Sequence, residues 1–114
     1  MRNYEKKKYL SAKFRHKIVF LEKVGEDNDE LEVFHEAYAE IMPVSENNFQ
    51  EFDGVNFGHI MVEEYFIITC RYINGINCRM RVGFNDRLFT IKRIVNPYEL
   101  NHFLKLLVLE ITER

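Results

Sequence analysis

Between Val24 and Cys70 the chain lacks lysine and arginine altogether, although those 47 residues carry twelve acids. The segment before it, Met1 to Lys23, holds eight bases against two acids, and Arg71 to Arg114 holds eight against four. The formal net charge of −2 therefore conceals two basic zones around an acidic centre. Segregation of this kind steers and selects partners even when net charge says little, and it suits head-to-tail assembly. Other absences narrow the field further. No apolar run approaches the roughly 20 residues of a membrane helix, so no membrane role is expected. The basic opening Met1-Arg-Asn-Tyr-Glu-Lys-Lys-Lys has no apolar core, so export is not expected. Only two cysteines occur, Cys70 and Cys78. That excludes a disulfide scaffold, matches no metal-ligand pair and fits a reducing cytoplasm.

Catalytic patterns are missing too. There is no HExxH, phosphate loop or nucleophile elbow, and Ser11 and Ser45 lack the context of a nucleophile. His35-Glu36 and His59 with Glu63-Glu64 could be drawn together as a metal site, but surface residues of these types meet by chance far more often. The sequence is read as non-enzymatic, with no catalytic residue, no metal and no cofactor.

What is present is a packed domain. Hydrophobic residues make up 46% of 114, with ten Phe and six Tyr, enough for one core that buries roughly 65% of the unfolded surface. Residues 1–13 read as a basic tail and 14–114 as a single domain. Extended segments are predicted at His16 to Lys23, Glu32 to Val44, Val62 to Tyr72, Arg79 to Val82, Leu88 to Val95 and Phe103 to Ile111. Between the second and third lies a long excursion, Ser45 to Ile60, with room for a short helix. Phe66, Ile68, Cys70 and Tyr72 share one face of the third strand. A five-residue loop, Asn74 to Cys78, is predicted to fold the fourth strand back on the third, pairing Cys70 with Val82. Asn85-Asp86 forms a tight turn into the fifth. These features predict an all-β fold: a small six-stranded antiparallel barrel or sandwich.

The last strand is apolar on both faces. Leu104, Leu106 and Val108 share one, while Phe103, Leu107, Leu109 and Ile111 crowd the other. Since one face of a small antiparallel sheet normally meets water, something must cover the second. A neighbouring copy, a barrel interior or the packed tail would each serve. Phe49, Phe52 and Phe57 stand among polar residues in the excursion, either as anchors tucking back on the core or as a lip for a partner subunit. Lys6, Lys7, Lys8, Lys13, Arg15 and Lys17 interleave with Tyr4, Tyr9 and Phe14. This pattern supports a second reading, a small β-barrel binding single-stranded nucleic acid. A pI of 6.1 weighs against it, and favours a tail that docks on an acidic protein.

Several ordered motifs resemble those of phage head–tail adaptor (head–tail joining, head-closure) proteins. Phe14-Arg15-His16-Lys17-Ile18 is similar to their L-R-H-R-I opening. Tyr38-Ala39-Glu40-Ile41-Met42-Pro43 resembles V-W-A-x-I-x-P, and Ile68-Thr69-Cys70-Arg71-Tyr72 resembles I-x-I-R-Y. Met80-Arg81-Val82, Arg87-Leu88-Phe89-Thr90-Ile91 and Val95-Asn96 follow in family order. The first hairpin departs, with Asp29 to Phe34 where the family has Gly and Trp. The resemblance implies a ring of barrels in the virion, made in the host cytoplasm, docking under a portal or adaptor protein and receiving a tail-completion protein. Double-stranded DNA would pass through the lumen without specific binding. Glu46, Phe49, Glu51, Phe52, Asp53 and Phe57 would then face the lumen or a neighbouring subunit. Lys6, Lys7, Lys8 and Lys13 would dock on a partner, and Phe103, Leu107, Leu109 and Ile111 would form a subunit interface.

Overall fold

The computed structural model describes residues 13–25, 30–50, 52 and 64–112. Their elements are β1 (His16–Lys23), β2 (Leu31–Pro43), a short helix α1 (Glu46–Phe49), β3 (Tyr65–Arg71), β4 (Arg81–Phe84), β5 (Arg87–Val95), a 3₁₀ turn (Pro97–Glu99) and β6 (Phe103–Ile111). The strands close into an antiparallel barrel in the order β1-β2-β3-β6-β5-β4.

Alternation of side chains builds the interior. Ile18 and Phe20, Ala39, Ile68 and Cys70, Val82, Phe89 and Ile91, and Leu104, Leu106 and Val108 point inward from the six strands as one buried cluster. Phe66 meets Phe89 edge-on there, with centroids 5.8 Å apart. Burial desolvates the Cys70 thiolate and pushes its pKa from 9.0 up to about 12. Cys78 is exposed.

Two sites let so few strands close. At the β4 seam only Val19, Phe20 and Leu21 of β1 pair with β4. A Cβ on Gly83 would lie 3.1 Å from Val19 Cγ2, a tight contact that glycine avoids. At the β4–β5 hairpin Phe84 pairs with Arg87, which leaves Asn85-Asp86 as a two-residue turn. Asn85 takes φ 55°, a conformation asparagine tolerates.

The hairpin expected between β3 and β4 does not form. β3 pairs with β2 and β6, and β4 pairs with β1 and β5. Cys70 and Val82 both face the core, but from different walls. The connection uses its apolar residues instead: Tyr72, Ile73 and Ile76 pack on the core and Met80 is buried with it. Met80 thus precedes β4, which begins only at Arg81.

Candidate assembly interface

The outer face of β6 is covered by the chain itself. Ser45 caps α1: its hydroxyl accepts from Asn48 N–H at 3.4 Å, and the Asn48 side-chain oxygen accepts from Ser45 N–H at 2.8 Å. Asn48 Nδ2 also donates to the Pro43 carbonyl at 2.9 Å, tying the helix to the end of β2. This places Phe49 and Phe52 over Ile67 and Leu107, which are partners in the β3–β6 ladder. Leu107 retains 1% of its surface. At the other end of β6, Phe14 packs edge-on against Phe103. Three phenylalanines from outside the barrel therefore cover what the sequence left open.

The predicted site residues separate accordingly. Phe49 and Phe52 act as anchors on their own barrel, so their side chains offer no lip to another subunit. Leu107 has no exposed surface with which to make an interface, because the excursion has taken it. Phe103, Leu109 and Ile111 are half-buried. Glu46 opens α1, and Lys13 is exposed at the first described position. Glu51, Asp53, Phe57, Lys6, Lys7 and Lys8 lie outside the described residues, as do His59 and Glu63 of the metal arrangement. Burial of Phe14 removes it from the aromatics that could stack on a nucleic-acid base. Lys17 pairs with Glu36 at 3.3 Å.

Strand order turns the charge pattern of the sequence into opposed walls. β2 carries Glu32, Glu36 and Glu40 and no Lys or Arg. β5 carries Lys92 and Arg93 and no acid, together with a half-buried Arg87 that Glu110 of β6 holds at 3.0 Å. In the cyclic order each is three strands from the other, so they stand across the barrel. The exposed apolar residues fall in two places. Among the described residues, the large ones are Leu31, Val33, Phe34, Tyr38 and Met42 on β2, and Tyr98 and Leu100 just after β5.

Both places are built features. β2 pairs with β1 along Leu31 to Ala39 but with β3 only from Ala39 onward. Where that second pairing stops, a groove of about 720 Å³ opens, lined by Phe14, Arg15, Glu36, Tyr38, Arg71 and Tyr72 among others. Its size falls within the roughly 300–1,000 Å³ of ligand-sized sites. In the β5–β6 connection at the same end of the barrel, Tyr98, Glu99 and Asn101 all hold positive φ, of 55°, 53° and 60°. Asn96 Nδ2 donates to Asn101 Oδ1 at 2.7 Å, and Asn101 N–H donates to Asn96 Oδ1 at 3.1 Å. This clamp leaves Tyr98 91% exposed. Left-handed backbone at successive ordinary residues is costly and marks positions with a task. Sequence reading did not single out this turn. Its one signal was an aromatic residue between Pro97 and Glu99, where a polar one would serve.

Residues 9–111 match the phage head completion protein family. The chain belongs to that family. The family is a structural one, so the chain has a structural role in phage head assembly as a component of the virion. Its partners are other phage head and tail proteins. No curated protein matches the sequence. The solution structure of protein SF1141 from Shigella flexneri 2a superposes with a TM-score of 0.58 at 17% identity, over 90% of this chain and 96% of that one. At that identity the likeness establishes the barrel fold alone. Among the described residues no helix is long and apolar enough to cross a membrane.

Proposed function

We propose that the protein is a ring-forming connector that docks under the portal, closes the DNA-filled head and joins it to the tail. The observation that carries this reading is the family match across residues 9–111. A barrel with an acidic wall opposite a basic one supports it, because identical copies then attract one another head to tail. The basic tail, through Lys6, Lys7, Lys8 and Lys13, docks on an acidic surface of the portal or adaptor. Glu46, Glu51 and Asp53 belong to an excursion without a single base. Turned to the lumen, it gives packaged DNA nothing cationic to adhere to. Phe103, Leu109 and Ile111 supply the remaining half-buried apolar surface at the subunit boundary. The protein assembles from the host cytoplasm onto the finished head.

Deletion of the gene tests the reading. Heads are expected to package DNA and then lose it, tails to accumulate unjoined, and labelled protein supplied in trans to restore infectivity and mark the neck. Infectious particles formed without the protein, or label spread over the capsid, would overturn it. Binding of a labelled single-stranded oligonucleotide by the isolated protein, tight and salt-sensitive, would favour the nucleic-acid reading instead.

A further inference from the structure

The geometry points to a specific contact between copies: the Tyr98-Glu99-Leu100 turn of one subunit inserts into the β2 groove of the next. This inference rests on the ring reading and names the surfaces that make it. The two features are complementary in chemistry. The turn offers an aromatic ring, a carboxylate and an aliphatic side chain, all exposed. The groove offers Tyr38 and Tyr72 as apolar walls over the buried Phe14, with Arg15 and Arg71 beside them. Neither arginine makes an ion pair among the described residues, and neither does Glu99. The acid already in the groove, Glu36, is engaged by Lys17 and so does not repel an incoming carboxylate.

The two features are different patches. A surface that binds its own kind through one patch gives only dimers, whereas two different patches give rings or filaments. Here one patch lies between β2 and the end of β3 and the other in the β5–β6 connection, at the same end of the barrel, where Tyr72 N–H donates to the His102 carbonyl at 2.9 Å. The clamp between Asn96 and Asn101 fixes the turn before contact, which lowers the ordering cost of binding. A buried aromatic anchor beside a desolvated arginine is the usual composition of an energetic centre in an interface.

Three variants of the full chain, followed by sedimentation velocity over a concentration series at low salt, test the contact. Glu99→Arg places a cation opposite Arg15 and Arg71; Arg15→Glu with Arg71→Glu places carboxylates opposite Glu99. Each variant alone is expected to stay monomeric where the wild type associates. Their equimolar mixture is expected to associate again, because each turn then meets a groove of opposite charge. Tyr98→Asn accepts the left-handed backbone more readily than tyrosine does, so it is expected to abolish association without lowering thermal stability. Variants that assemble as well as the wild type, or a mixture that stays monomeric while both proteins are folded, overturn the contact. The ring would survive that outcome if the wild type still assembled. A wild type that stays monomeric at every concentration also removes the contact, and localisation at the neck decides the ring separately.

Discussion

Phe14 meets Phe103 edge-on, with ring centroids 6.0 Å apart and planes at 79°. The pair joins the segment ahead of β1 to the first residue of β6, and Phe14 is buried by it. Truncation of an aromatic in such a site costs about 3 kcal/mol from transfer and cavity terms together. Phe14→Ala is expected to lower the unfolding free energy read from urea titration by that amount, moving the midpoint without changing the slope. Phe14→Leu should lose less than half as much. A truncation with no effect on the midpoint would show that the segment ahead of β1 contributes nothing to the barrel.

A similar argument applies to the lid over β6. Phe52 is buried against Ile67 and Leu107, so Phe52→Ala should cost about 3–5 kcal/mol. It also exposes apolar surface that the monomer otherwise hides. Binding of a hydrophobic dye should rise in proportion, and a charged residue introduced as Leu107→Lys should unfold the domain. A folded and monomeric Leu107→Lys protein would mean that the excursion does not cover the outer face of β6.

Cys70 makes stability depend on alkaline pH. Its folded pKa is raised to about 12 from 9.0 by burial, so above pH 9 the unfolded chain releases a proton that the native state keeps. The thiol's contribution is therefore complete below pH 9 and is lost as pH climbs towards 12. The expected slope is about 1.4 kcal/mol per pH unit in that window. Cys70→Val should remove this part of the slope. Under native conditions near pH 8 a thiol reagent should titrate one cysteine, the exposed Cys78, and both in denaturant.

The β1–β4 seam brings Gly83 close against the Val19 side chain. Gly83→Ala would bring a Cβ to 3.1 Å from Val19 Cγ2, and overpacking of this sort costs roughly 1–3 kcal/mol. Val19→Ala in the same chain should recover part of that loss. The double-mutant cycle in urea should show a favourable coupling between the two positions. Additive effects would place the strain elsewhere.

Much of the barrel was legible in the chain because its cues are local. Alternation identified Phe66, Ile68 and Cys70 as one inward face, and Phe103 to Ile111 as a strand apolar on both sides. Asn85-Asp86 announced its turn through residues that accept unusual backbone angles. The β3–β4 relationship was misread for a physical reason. Alternation states which face a side chain occupies, and both Cys70 and Val82 do face the core. Nothing in a two-residue period says which strand lies alongside. The exposed turn at Tyr98 escaped because its shape depends on Asn96 reaching Asn101.

The sequence alone determined six extended segments, an apolar inner face on each, and an acidic stretch between two basic ones, since these are properties of neighbouring residues. Tertiary structure decided the rest. Closing six strands into a barrel set β2 across from β5 and so made a charge sequence into opposed walls. The same closure brought Phe14, Phe49 and Phe52 onto β6, because an exposed apolar strand face gains free energy when any reachable part of the chain removes it from water.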